Sequence, residues 1–366
     1  MKTRWIVITI VLLLSLVATS SVSAGQSSKL PKWEVAFDAA QYGLGHTFSG
    51  AVFKNKMYFN FSAESGDQVW STPDGKNWSL AWQASSVQEG YESIMSMTVF
   101  KNQLYLDLYD QGGEFPTRVM RTRDGKNWET VIIADTTETY FHEYTTFTTF
   151  NGAIYAGGLY CTSLPEDYCE NFLIRSTSGD PGTWEKVTQF LDVGIASFET
   201  FKGALYMSGE GERVQIWRSF DGVNWEPVIT DGFGEATNDR SGGFGVLGGF
   251  LYLGTGLSDP NGGDIWRTRD GVNWEPVTLN GFGDPNNAAF AGFVTHKGLL
   301  YTYSASETGC QVFSSKDGVH WKPANKPGWE DPNKVAVYRE FGRVIFKGKL
   351  YMGTFWAGSV MKLVMP

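Results

Sequence analysis

Three cysteines and four histidines in 366 residues leave little material for a metal centre, and they do not fall at the paired spacing of zinc ligands. His-Glu-x-x-His, a Gly-rich phosphate loop and a Gly-x-Ser-x-Gly elbow are all missing, so zinc proteolysis, nucleotide hydrolysis and hydrolase-fold ester chemistry have no support. Positive charge is in deficit: 30 Lys and Arg face 39 Asp and Glu, a net charge of -9. Such a surface disfavours nucleic acid and anionic membranes, both of which need cations to neutralise them. Beyond the first 24 residues there is no second long apolar run and no convincing helical period. What is abundant is aromatic side chain, at 15%, and glycine, at 43 residues, a profile that excludes disorder, collagen and coiled coil.

The N-terminus reads as an export signal. Lys2 and Arg4 form a basic start, Ile6 to Val17 is apolar, and Val22-Ser23-Ala24 offers small residues for cleavage before Gly25. Residues 1–24 are therefore expected to be removed, 25–31 to form a short linker and 32–366 to form one domain. The mature protein is expected outside the cytoplasm, as a monomer with no membrane insertion and no cofactor. An oxidising compartment suits Cys161 and Cys169, whose spacing fits a bridge across the tip of a long hairpin; free thiols or a metal site are the alternatives. Cys310 is left over as a small semi-buried residue.

Self-comparison exposes one phrase six times. Its fullest forms are RSFDGVNWEPV (Arg218 to Val228) and RTRDGVNWEPV (Arg267 to Val277); RTRDGKNWETV, STPDGKNW, SSKDGVHWKPA and STSGDPGTWEKV are progressively looser. The marker tryptophans are Trp78, Trp128, Trp184, Trp225, Trp274 and Trp321, about 49 residues apart, which signals a repeat architecture. A second phrase, a Lys/Asn/Gly turn followed by an apolar-Tyr pair, places Tyr58, Tyr105, Tyr155, Tyr206, Tyr252, Tyr301 and Tyr351. The Trp phrase missing from the last copy survives at the other end of the chain as Lys32-Trp33-Glu34-Val35.

Each period holds four short strand-like segments separated by turn signals. Four-strand repeats of this length predict an all-β fold, a seven-bladed β-propeller of four-stranded antiparallel blades. Residues 32–37 are expected to add the outermost strand to the last blade and so close the ring.

The turn phrase around Asp74, Asp124, Asp221, Asp270 and Asp317 resembles the Asp-box, or BNR, repeat of sialidase-like and other secreted propellers, with a kelch-like flavour in the Gly-x-Leu-Tyr phrase. The resemblance spans nearly the whole mature chain and implies a propeller. Here Asp and Gly are adjacent where the family has one residue between them; only Asp180-Pro181-Gly182 keeps that spacing. Sialidase chemistry needs three arginines, a Tyr nucleophile with its Glu, and an acid/base Asp, and is not carried over.

A residue repeated in every blade serves every blade, so the Asp-Gly turns, the tyrosines and the column Arg121, Arg175, Arg218 and Arg267 are read as structural. Asp259-Pro260-Asn261-Gly262-Gly263-Asp264 looks like a calcium loop but lacks the ligand series and is read as a turn, so structural calcium has no support. Nine residues before each marker Tyr the column is small: Ser49, Ser96, Thr146, Ser197, Gly243, Gly292 and Gly342, which suits a crowded channel wall. Just upstream the repeats diverge into His46, Glu92, His142, Glu143, Tyr144, Arg240, Tyr338, Arg339 and Glu340, the candidate ligand-binding set at the channel mouth. Arginines there can grip a carboxylate, and a Glu with a His can move protons.

Two functions follow as expectations. The first is a secreted binding module that presents the channel mouth and its loops to a glycan or an extracellular protein without catalysis. The alternative is a glycan-active enzyme, a sialidase-like hydrolase or a polysaccharide lyase, working at the same mouth.

Overall fold

The computed structural model describes residues 30–84, 92–110, 117–133, 139–162, 168–187, 193–256, 261–306, 309–331, 342–354 and 358–364. Within them the chain runs as successive antiparallel meanders. Gly50–Phe53, Lys56–Phe61, Gln68–Thr72 and Ser79–Gln83 form the first sheet, ordered as in the sequence. Sheets starting at Met97, Thr139 and Gly194 repeat the pattern, and the short strand Glu92–Ser93 adds to the second.

The expectation of separate blades meets one difference. The meanders Arg240–Thr278 and Ala289–Pro323 are joined into a single eight-stranded sheet through the pair Gly256–Ala289. Glycine permits this approach: a β-carbon on Gly254 would fall 2.0 Å from the Phe290 carbonyl oxygen. Sheets that elsewhere meet through side chains here meet through backbone.

The ends of the chain share a sheet. Lys32–Asp38 pairs antiparallel with Ser359–Val364, outside Lys349–Gly353 and Arg343–Phe346. The Trp33 indole donates to the Ala324 carbonyl at 2.8 Å, and Phe37 packs with Met57, Phe59, Tyr351 and Val360. Residues from both ends thus build one apolar cluster, and unzipping either end would expose it.

Both repeated phrases have a local cause. The Lys/Asn/Gly turns take positive φ at two consecutive residues, as at Lys54 (46°) and Asn55 (60°), the two-residue hairpin turn whose twist matches its strands. In the Asp-Gly turn, Asp74 Oδ1 accepts the backbone N–H groups of Lys76 and Asn77, each at 2.8 Å, while Thr72 Oγ1 accepts that of Gly75. These bonds, led by that from Asn77, hold the Asp74 carboxyl well below the usual carboxylate range. Asp124, Asp221, Asp270 and Asp317 repeat the arrangement, which gives the recurring aspartates a structural task.

The two phrases meet across repeats. The Tyr105 hydroxyl stands under Gly179, that of Tyr155 under Gly222 and that of Tyr206 under Gly271, in each case in the following repeat. Beside this joint Lys101 Nζ donates to the Thr177 carbonyl at 2.7 Å, and Lys202 donates to that of Arg269. The core is accordingly a series of clusters between neighbouring sheets. Tyr58 and Val69 of the first repeat share one with Leu104 and Met120 of the second.

Candidate functional site: the central channel

The innermost strands converge on a cavity of about 210 Å3. Ser49, Ser96, Thr146, Ile195, Ser241 and Arg343 bring six of the seven repeats to its wall. Ser49, Ser96, Thr146 and Gly342 come from the small-residue column read in the sequence. Ser197, Gly243 and Gly292 of that column do not line it. Ile195, Ala196 and Ser241 line the cavity beside β-bulges between Ile195 and Ser197 and between Ser241 and Phe244, whereas a like bulge between Tyr144 and Thr146 leaves Thr146 on the wall. At Gly292 the Tyr303 ring takes the space: a β-carbon there would fall 2.1 Å from it.

Hydrogen bonds between repeats fix the wall. Ser49 Oγ accepts the Met97 N–H at 2.8 Å, Ser96 Oγ accepts that of Phe147 at 3.2 Å, and Ser241 Oγ donates to Ser208 Oγ at 2.7 Å. Behind the wall, Asn60 Oδ1 accepts the Ser49 N–H at 2.8 Å and Asp107 Oδ1 that of Ser96 at 2.7 Å. Asn60 and Asp107 are fully buried. A backbone donor near a channel would otherwise need water, so these two residues fix the inner strands in place. Their sequence signal is a lone polar residue two positions after the marker Tyr in an apolar strand.

Charge enters through Glu210 and Arg343, with Arg240 beside Glu210. Glu210 lines the cavity and its Oε2 lies 3.8 Å from Arg240 Nη1. The Glu210 side chain is 15% exposed and that of Arg240 40%, so the pair spans the boundary between wall and solvent. Glu210 stands opposite Gly194 at the end of its strand, and Arg343 follows Gly342, a position the sequence reading passed over.

The expected mouth residues divide into four groups. Arg240 is not itself a lining residue; it precedes the lining Ser241, and its Nη1 lies 3.8 Å from Oε2 of the lining Glu210. His46 is not among the lining residues: it packs against Phe48, with ring centroids 4.6 Å apart, and lines a separate depression with Leu44 and Glu64. Burial lowers its pKa, which favours the neutral imidazole. Glu92, His142, Glu143 and Tyr144 are placed by backbone alone: Glu92 opposite Asp110, and His142 to Tyr144 on the strand that carries Thr146 into the cavity. Tyr338, Arg339 and Glu340 lie outside the described residues, as does Asp259. Cys161 and Cys169 face each other in register across their hairpin. Asp264, at the end of the calcium-like string, accepts the Asn280 N–H at 3.0 Å. Among the described residues no three His, Cys, Asp or Glu side chains gather closely enough to hold a metal ion, and no helix is long and apolar enough to cross a membrane.

No family model matches the sequence, and no curated protein matches it. Solved structures do. The chain is similar to "YCF48 bound to D1 peptide" over 96% of its own length and 100% of that chain, with 14% identity and a TM-score of 0.62. It is similar to the phage phi92 endosialidase over 92% of its length and 69% of that chain, with 11% identity and a TM-score of 0.50. The β-propeller domain of the Trilobed protease from Pyrococcus furiosus matches over 78% of this chain and 86% of that one, with 12% identity and a TM-score of 0.52. Together with the four-stranded antiparallel meanders, these likenesses make the fold an all-β propeller.

Proposed function

We propose that this chain is a secreted binding module, a seven-bladed relative of the Asp-box propellers, that holds a segment of an extracellular protein or a glycan at the mouth of its central channel. The count of seven takes each half of the eight-stranded sheet as a blade. The observation that carries the reading is the wall itself. Its serines are tied across repeats, and the Arg240–Glu210 pair stands at a cavity of about 210 Å3. A frame held this way loses little freedom when a ligand docks, which favours affinity. The acid and the base beside each other offer both signs of charge to one polar ligand, and hydroxyl groups on the wall add donors. Likeness over nearly the full length to a propeller recorded with a bound peptide supports a polypeptide segment as the occupant.

The test uses the mature chain and the variant carrying Arg240→Ala and Glu210→Ala, applied to arrays of peptides and of acidic and neutral glycans. The reading expects a ligand bound by the parent and at least about tenfold more weakly by the variant, with the melting temperature kept. Equal binding by both would move the site away from the channel. Polysaccharides shortened by the parent alone would replace the binding module with an enzyme.

A further inference from the structure

Between the connector after the fifth repeat and the strands of the sixth lies a cleft of about 260 Å3, away from the channel. It opens where the sixth repeat differs from the fifth. One repeat earlier, Phe233 from the connector stacks flat on Trp266, with centroids 4.3 Å apart and planes at 5°. At the same step of the sixth repeat the sequence has Phe313 in place of the indole, four residues before its Asp as Trp266 is before Asp270. Phe282 meets Phe313 at 4.9 Å with planes at 44°. Phe282, Phe313, Pro323 and Pro327 give the cleft apolar walls, with Phe313, 3% exposed, at its floor.

Its polar groups are oriented acceptors. Gln311 Nε2 donates to the carbonyl and to Oδ1 of Asn325, each at 2.8 Å, which fixes the amide and leaves Oε1 for an incoming donor. Asp284 Oδ1 accepts the backbone N–H of Asn286 at 3.0 Å and its side-chain amide at 2.9 Å, so the carboxylate is held at the rim. Flat apolar walls beside fixed carboxylate and amide oxygens match a ring that is apolar on its C–H face and carries hydroxyl donors at its edge. A carboxylate at the rim opposes an anion. A metal ion would need further ligands beyond this single carboxylate.

We propose that this cleft binds one neutral hexose ring of an oligosaccharide. The proposal is independent of the channel reading, because the two cavities share no lining residue.

The experiment is saturation-transfer NMR on the mature chain with methyl glycosides of glucose, galactose and mannose at millimolar concentration. At least one is expected to bind. Phe313→Trp, which restores the filled joint of the preceding repeat, is expected to weaken it by about tenfold or more, and Asp284→Ala by a similar factor. Should Phe313→Trp disturb folding, judged by its melting curve, Asp284→Ala decides, since that carboxylate is exposed. A parent chain that binds none of the glycosides, or binding that survives both substitutions, overturns the proposal. Binding of a Lys-containing peptide in place of every glycoside overturns it too.

Discussion

The Tyr351 hydroxyl of the last repeat stands where a β-carbon on Gly75 of the first would be, 2.2 Å from that position. Lys347 Nζ donates to the Pro73 carbonyl beside it at 2.7 Å. The joint that links neighbouring repeats elsewhere therefore also links the last to the first. The ring is closed twice, by this contact on the turn side and by the shared sheet of the two chain ends.

Gly75→Ala tests the joint. Gly75 has φ +73° and no room for a methyl group, whereas Gly152 has a similar φ of +76° with nothing within 4 Å of the added carbon. Gly152→Ala should cost about 1 kcal/mol from backbone strain, and Gly75→Ala about 2–4 kcal/mol because the Tyr351 ring must also move. Denaturant unfolding of both variants measures the difference. Equal losses would show that the Tyr–Gly contact adds nothing to closure.

Removal of residues 25–38 tests the other closure. It takes away the pairing of Lys32–Asp38, the Trp33 hydrogen bond and the Phe37 contacts in the cluster with Tyr351. The expected loss is about 4–6 kcal/mol, or roughly 10 °C in melting temperature, from apolar burial alone. A truncated chain that melts with the parent would leave the end strand without a role in closing the ring.

The fold was legible because its causes are local and repeated. Lys54-Asn55 and its counterparts announce a hairpin turn, Asp74-Gly75 and its counterparts a second, and Trp33-Glu34-Val35 betrays the strand that crosses from one end to the other. The channel wall was legible at Ser49, Ser96, Thr146 and Gly342 and not in the other repeats. At Ile195 and Ser241 the facing residues stand one or two positions earlier, beside bulges that no pattern of residue types announces. No sequence signal sets Glu210 apart from the other acids; the strand pairing that sets it opposite Gly194 brings it to the cavity. The cleft of the sixth repeat lies where Phe313 stands in the place of Trp266 of the preceding repeat, a difference whose consequence depends on how Phe282 packs against the ring.

The register of Cys161 opposite Cys169 lets a bridge form between them under oxidising conditions. Intact mass of the mature protein, compared before and after reduction, should differ by the two hydrogens of one disulfide. Cys310 should react slowly with thiol reagents, since it is buried and burial pushes its thiol well above the usual range. A third thiol that titrates as fast as the other two after reduction would contradict the placement of Cys310.

Asp67 predicts how stability depends on pH. It is fully buried between the first and second repeats, where its Oδ2 accepts the Ile94 N–H at 2.8 Å while Asn60 Nδ2 donates to the Ile94 carbonyl at 2.7 Å. Burial raises its carboxyl to about 7, against the opposing pull of hydrogen bonds from Ile94, Asn60 and Ala63. The folded chain thus keeps a proton that the unfolded chain releases near pH 4, and stability must fall as pH rises between these values. A shift of roughly three units sets the loss at no more than about 4 kcal/mol, complete above pH 7. The turn aspartates act in the opposite sense and in another window. With Asp74, Asp124, Asp221, Asp270 and Asp317 held low, their contribution is present above about pH 4 and is lost as pH falls below it. Asp67→Asn keeps an acceptor for Ile94 and carries no charge, so it should match the parent near pH 4 and melt at a higher temperature at pH 8. A difference between the two chains that stays constant from pH 4 to pH 8 would mean that Asp67 is ionised throughout, and that the buried carboxylate is held by charges outside the Ile94 clamp.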